Sequence, residues 1–480
     1  MKLPLSILTG VCAATCALAS TYQPKFRISP IDGSKIALPT KEQLDFQDKE
    51  IGVLIHFEIA TYLSIDGCNN VPNLVPNPSL FDPTLINTDA WMDTTTALGA
   101  KYATLVAKHN CGFTNWPSEV TFQNRNNETV PYNYTIAQSP VKGKNVVKSF
   151  VDSAQKYNVG HGLYYSVVVN NYLNVQDSDV RAGSWAPGQV NITNGTYDQI
   201  VLDQLSELWR NYGSLTEKDK IESLLEATQP QAVIFNGCDT DGNCLSANSI
   251  RWIGTEEGQA PEENWSSGVT NDGGDPKSPY FCPAECDTTL QTDDRWFFGV
   301  DQPLRSIEEM IDVYHKTVGR NCLLELDLTP DRSGLIPANY AARYKQLGDF
   351  ISSCYEKPVG SHAAHNTDEN DVYTIKFDYP TAIDRIVLME DQTNGQVIRS
   401  YQVLAKIVDS QDANGTLAVP FTLVSNGTSI GHKKIDIFQK AVSVTEILIK
   451  TTFVDTPKWR SVSVHLCDRL AANGTSTEAD

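Results

Sequence analysis

His56, His109, Asn110, Tyr165, Ser166, Arg251, Trp252 and Glu285 each close or directly follow a short apolar run. Their chemistry is complementary. Imidazole and amide groups hydrogen-bond hydroxyls, indole and phenol rings offer flat faces, and a desolvated carboxyl holds a proton near neutral pH. Together they suit a small polar ligand held by hydrogen bonds and stacking. A single histidine of this kind reads as a satisfied core residue, whereas two at corresponding run ends read as functional. A metal centre needs a third ligand at a specific spacing, which is not found, so neither metal nor cofactor is expected.

The runs that position these residues are Ile51–Phe57, Tyr102–His109, Gly160–Val167, Ala232–Gly237, Ile250–Gly254 and Asn321–Leu328, with a weaker one at Phe281–Cys286. Amphipathic stretches separate them. In Tyr197–Tyr212, Val201, Leu205, Leu208 and Tyr212 fall on one helical face. Strands that are apolar throughout and alternate with helices predict a parallel sheet covered on both sides. The economical arrangement over residues 20–355 is an α/β fold, a (β/α)8 TIM-type barrel, whose ligands bind at the C-terminal strand ends. A doubly wound sheet is the alternative, but no G-x-G-x-x-G follows the first strand. Residues 356–371 read as a polar linker. Period-two alternation at Tyr373, Ile375 and Phe377, and again at Val462, Val464 and Leu466, predicts a β-sandwich over residues 372–470. Asn394-Gly395 and Asn426-Gly427 read as its turns, and residues 471–480 as a disordered tail.

Charge and cysteines narrow the class. The 480 residues carry 38 Lys and Arg against 58 Asp and Glu, a net charge of −20 that repels phosphate backbones and argues against nucleic-acid binding. Residues 1–19 combine Lys2, an apolar run and an A-x-A site, the pattern of a secretory signal peptide rather than a membrane anchor. The mature chain is therefore expected outside the cell, without a membrane partner. Sequons at Asn127, Asn133, Asn191, Asn194, Asn264, Asn414, Asn426 and Asn473 suggest glycosylated surface loops. Cys238/Cys244 and Cys282/Cys286 invite short disulfides, and Cys354 with Cys467 is a candidate bridge between the two units.

Several segments resemble the barrel of family 29 glycoside hydrolases, the α-L-fucosidases. They are IHF at His56, LVAKHNCGFTNWPS around His109 and Trp116, GLYYS around Tyr165, RWIGTEEG at Arg251, CPAECDTTLQTDDRWFF around Glu285 and Trp296, and VGRNCLLELDLTPDRSGLIP. RWIG and PAECD are similar to the branch that includes plant enzymes. The resemblance implies a secreted retaining hydrolase acting on fucosylated oligosaccharides or glycoproteins, with no cofactor. It implies Glu285 as acid/base, His56 and His109 as ligands of sugar hydroxyls, and Trp296 and Phe297 as a platform for the sugar's methyl face. Asn110, Trp116, Tyr165 and Arg251 complete the implied sugar-binding set. The family often has a second histidine where this chain has Asn110.

In one place the resemblance fails. The family nucleophile is the aspartate of a W-x-D-G segment on the fourth strand. Here Asn211-Tyr212-Gly213 leads through Ser214–Glu217 straight into the helical pattern of Lys218–Thr228, with no W-x-D-G. Three readings follow. The chain has lost about a dozen residues at Glu217–Lys218, enough for a strand and its turns. Alternatively it is a catalytically silent fucose-binding protein, or its nucleophile has moved to Asp239 or Asp241. A retaining enzyme without its nucleophile is slower by several powers of ten. The barrel is accordingly expected to lack its fourth strand, leaving the third and fifth apart or directly paired.

Overall fold

Apolar runs between amphipathic helices leave little choice of architecture, and the computed structural model shows it. It describes residues 22–68, 71, 73–183, 185–212, 217–218, 228–363, 372–408 and 419–467. The barrel strands are β1 Ile51–Ile55, β2 Tyr102–Lys108, β3 Gly160–Tyr165, β4 Glu217–Lys218, β5 Val233–Ile234, β6 Arg251–Trp252, β7 Ala284–Thr288 and β8 Cys322–Leu328. They form one parallel sheet in the order β5-β4-β3-β2-β1-β8-β7-β6. A single parallel bridge between Ile234 and Ser249, just before β6, brings its two ends together. β1, β2 and β8 are buried at every position, as a sheet covered on both faces requires. The helix read at Tyr197–Tyr212 spans Asn194–Asn211; Thr193 caps its N-terminus, and Val201, Leu205 and Leu208 face the core.

The fourth position is not empty. Glu217 pairs with Gly162 of β3 and Val233 of β5, and Lys218 with Leu163 and Ile234. β3 and β5 are therefore neither apart nor in direct contact. Backbone pairing needs no apolar side chains, and open sheet edges inside a core leave donors and acceptors unsatisfied, so even two residues are recruited. Among the described residues this strand is two residues long. The helix expected at Lys218–Thr228 and the turn at Gly213–Glu217 fall largely outside the described residues, as do the stretches read as signal peptide and tail.

The C-terminal unit is a six-stranded antiparallel sheet rather than two separate sheets. Its two long strands, Val372–Glu390 and Lys434–Phe453, shift register between Lys376 and Thr381 and between Ile383 and Arg385. Such irregularities bend strands, and the sheet folds over a single core. Tyr373 and Trp459, from different parts of the fold, bring their rings within 5.6 Å. The expected linker contains a strand, Gly360–Ala363, paired with Ser461–Val464, so this unit starts inside it. Asn426-Gly427 is no turn either. Both residues pair in the ladder with Gln402 and Tyr401, and a Cβ on Gly427 would lie 2.7 Å from the Tyr401 ring.

Disulfides join Cys68 to Cys111, Cys238 to Cys244, Cys286 to Cys322 and Cys354 to Cys467. The last ties the two units as expected. Cys282 does not pair with Cys286, because extended chain separates residues four apart by about 13 Å, far beyond disulfide reach. Cys286 instead bonds across to β8, and Cys282 is a buried free thiol. Buried polar contacts also dock the units: Gln392 Nε2 donates to Ser266 Oγ at 2.8 Å, and Ser266 N–H to Gln396 Oε1 at 2.8 Å. Asn264 belongs to this junction. It is 1 % exposed and bonds Arg251, Arg320 and Asn321, so its sequon is not a surface loop. No helix among the described residues is long and apolar enough to cross a membrane.

Candidate functional site

At the C-terminal ends of β1 and β2, His56 and His109 face each other with ring centroids 5.5 Å apart. The loop after β7 lays Trp296 and Phe297 against them: both rings lie 5.1 Å from His56, and Phe297 lies 5.2 Å from His109. Tyr164, the penultimate residue of β3, stands 5.6 Å from His109. This aromatic and imidazole wall can take an apolar sugar face and hydrogen-bond the hydroxyls at its edge.

Carboxyl groups hold the wall in place. Asp66, in the loop after β1, accepts the backbone N–H groups of Trp296 and Phe297 at 2.8 and 3.0 Å. Two residues on, the Cys68–Cys111 disulfide ties that loop to the segment carrying His109. Asp327, near the end of β8, bonds His56 Nδ1 at 2.8 Å. Trp252 Nε1 donates to Asp287 at 2.7 Å, and Trp296 Nε1 donates to Glu256 at 2.9 Å.

Burial governs the protonation of these groups. It pushes Asp287 up to about 7, with Glu256 adding to the rise. Asp66 is raised for the same reason. Glu256 is an exposed rim residue, but the protein around one side of it raises its carboxyl, and Asp294 and Asp66 add to this. Burial, with Lys108 beside it, lowers His109 to about 3, so its ring is neutral. A raised carboxyl at an accessible rim is a proton donor in waiting.

Only part of the sequence-derived set converges here. His56, His109, Trp296 and Phe297 do; Asn110 stays at the β2–β3 edge, where its Oδ1 accepts from Ser166 Oγ at 2.9 Å. Tyr165 is 1 % exposed and donates to Gln204. Trp116, equally buried, gives its indole N–H to Glu207 at 2.9 Å. Arg251 is buried and committed to Asn264 Oδ1 and to the backbone carbonyls of Trp265 and Asp272. These three are framework residues, because a buried polar group must be satisfied by fixed neighbours.

Glu285 is displaced as well. It sits at the start of β7, fully buried, where Oε2 accepts from Tyr102 Oη at 3.1 Å. Tyr102 opens β2, at the end of the barrel opposite the mouth. Gly52 makes room for it: a Cβ there would lie 2.2 Å from the Tyr102 ring. The carboxyl that reaches the mouth is Glu256, four residues beyond β6. The Asp239 carboxylate accepts from Asp241 N and Asn243 N of its own loop at 3.0 and 2.8 Å. Asp241 is exposed in the same turn, inside the Cys238–Cys244 loop.

Sequence reading overlooked Asp66, Tyr164, Glu256, Asp287 and Asp327. A signal existed for Asp327, because Glu325 and Asp327 interrupt an otherwise apolar strand on one face. Glu256 was visible as a carboxyl in a βα loop. Nothing local distinguishes Asp66.

Comparison with known proteins identifies the family and the fold. The α-L-fucosidase family model matches residues 73–356. Alpha-L-fucosidase 1 of Arabidopsis thaliana is 26 % identical over 362 residues, 69 % of this chain and 64 % of its own length. For the putatively named rice counterpart the figures are 28 % over 358 residues, 68 % and 61 %. The chain thus matches less than two thirds of the length of either plant relative. A glycoside hydrolase 29 family member from a rumen bacterium superposes with a TM-score of 0.74 at 24 % identity, covering 92 % of this chain and 78 % of that one. A Ruminococcus gnavus family 29 fucosidase solved with fucose gives 0.72 at 19 % identity, covering 94 % and 98 %. From the matched barrel and the shared fold, this chain belongs to the α-L-fucosidase family, glycoside hydrolase family 29.

Proposed function

We propose that the barrel mouth binds the terminal L-fucose of fucosylated oligosaccharides or glycoproteins, with Glu256 as proton donor to the leaving oxygen. The observation that carries this reading is the convergence of His56, His109, Trp296 and Phe297 with an accessible, raised carboxyl. The fucose-bound R. gnavus relative supports the choice of sugar. His56 and His109 hold hydroxyls, and the Trp296–Phe297 wall takes the methyl-bearing face. The absence of W-x-D-G from the sequence leaves the attacking carboxylate unsupplied. Hydrolysis by this chain is accordingly several powers of ten slower than by an intact retaining enzyme. Secretion fits the N-terminal apolar run, the four disulfides and the exposed sequons at Asn127, Asn133, Asn194 and Asn426.

Calorimetry and azide rescue test the reading together. L-Fucose should bind, and a dinitrophenyl α-L-fucoside should hydrolyse slowly. Added azide should restore turnover: it attacks the anomeric carbon opposite the aglycone, the C–N bond forms as the C–O bond breaks, and aryloxide leaves. The product should be the inverted β-L-fucosyl azide. Absence of heat with fucose, together with heat from another monosaccharide, would remove the substrate assignment. Turnover without azide at ordinary glycosidase rates would show that the chain carries its own nucleophile.

A further inference from the structure

Asp327 is the most enclosed carboxyl of the mouth, at 1 % exposure, and it lies behind the wall rather than in it. Its Oδ1 stands 2.8 Å from His56 Nδ1, and Tyr344 Oη donates to its backbone oxygen. Four further carboxyls act on it electrostatically: Asp66 from the loop after β1, Glu325 on its own strand, Asp287 on β7, and Glu256 from the loop after β6. On the remaining sides Tyr340 and Tyr344 face Asp327, and the His109, Trp296 and Phe297 rings surround His56. The cations of this region act one group further out, Arg295 on Asp66 and Tyr340, and Lys108 on His109, and neither acts on Asp327 or His56 directly.

The pair has two charge states to choose from. With one proton, on Nδ1, it carries a full negative charge among four carboxyls, and His56 Nε2 is a bare acceptor. With two protons it is neutral, and Nε2 bears hydrogen whether the inner proton rests on Nδ1 or on Oδ1. Burial and surrounding negative charge both penalise the first state. They raise the Asp327 carboxyl well above its ordinary range, while burial and His109 hold the His56 imidazolium well below its own. Both directions describe a neutral pair with the inner proton toward Asp327.

We propose that Asp327 is a positioning residue for His56: carboxyl and imidazole share a proton across the Oδ1–Nδ1 contact, so that His56 presents Nε2–H to a ligand oxygen. No hydrogen bond to Nε2 is made within the described residues, which leaves this donor for the ligand. The identity of the ligand rests on the fucose reading above; the donor state of His56 does not.

Two measurements on the full chain separate these points. Nitrogen NMR of the ligand-free, histidine-labelled protein at pH 6–7, assigned with His56→Gln, should show Nε2 protonated. An unprotonated Nε2 would overturn the proposal. Asp327→Leu removes the shared proton, and L-fucose affinity should fall about tenfold, the scale of a ~1.4 kcal/mol hydrogen bond. Wild-type affinity should also weaken at alkaline pH as the pair loses its second proton, a dependence that Asp327→Leu should lose. Unchanged affinity and pH profile in the variant would again overturn it. If Nε2 is protonated but fucose does not bind the wild type, the sugar assignment fails and the positioning role stands.

Discussion

Along the arc β7–β8–β1–β2–β3 each strand contributes five to seven residues, whereas β4, β5 and β6 contribute two described residues each. This long arc carries the recognition wall of His56, His109, Tyr164, Trp296 and Phe297, with its supports Asp66 and Asp327. Among the described residues, the short arc contributes Glu256 to the mouth, from a loop. Strand length explains the contrast. Five or more paired residues fix which side chains point inward and which close the strand, while two pin the backbone and little else. Recognition of a sugar can be built from one arc. Retaining hydrolysis cannot, because its two carboxyls must flank the scissile bond about 5–5.5 Å apart.

Completing the short arc should have the largest effect. Insertion of a W-x-D-G-bearing strand segment between Glu217 and Lys218 should raise aryl fucoside hydrolysis by several powers of ten. An insert that folds, binds fucose and gives no gain would show that strand length is not what limits this side.

The framework and the wall should then separate under mutation. Arg251→Met leaves Asn264 Oδ1 and the carbonyls of Trp265 and Asp272 without their donor. It should cost about 1–3 kcal/mol for each group left unsatisfied, read as a lower thermal midpoint, with fucose affinity unchanged in the folded fraction. His56→Ala should instead lose fucose affinity in the folded fraction, with a smaller drop in midpoint because it leaves one buried group, the Asp327 carboxyl, without its partner. If both variants lose affinity alone, Arg251 belongs to the site.

A smaller, sharper contrast separates the two glutamates in the completed enzyme. Glu256→Gln should slow natural glycans far more than dinitrophenyl fucosides, because only poor leaving groups need a proton. Glu285→Gln should slow neither selectively. A leaving-group dependence on Glu285 instead would return the acid role to it.

A last contrast lies beneath the wall. Burial pushes Glu58, just after β1, up to about 8, and lowers Lys108 to about 7. A carboxyl whose folded pKa is raised stabilises most below its unfolded value and loses that contribution as pH rises toward the folded one. Denaturant unfolding of Glu58→Gln should therefore improve relative to wild type between about pH 4.5 and 8. A flat difference would mean Glu58 is ionised throughout.

Most barrel strands were legible because each lies in a continuous apolar run, unlike β4 at Glu217–Lys218, and His56 and His109 because each ends one. Aromatic platform residues were legible only through family resemblance. Tyr165, Trp116, Arg251 and Glu285 were misplaced for one physical reason: sequence shows that a polar residue lies near a strand end, but not whether its partner is a ligand or a neighbouring backbone. Neighbouring residues of a strand point to opposite sides, so Tyr164 reaches the mouth while Tyr165 enters the framework.

Sequence by itself determined the alternation of strands and helices, the change to antiparallel pairing after Tyr355, and the absence of W-x-D-G. Each is a property of residue order and period. Only the tertiary structure decided that Cys286 bonds Cys322, that Glu217–Lys218 fills the fourth position, and that Asp327 stands behind His56. Those facts join residues from 36 to 271 positions apart, or pair backbone irrespective of side chain, and neither leaves a local trace in the sequence.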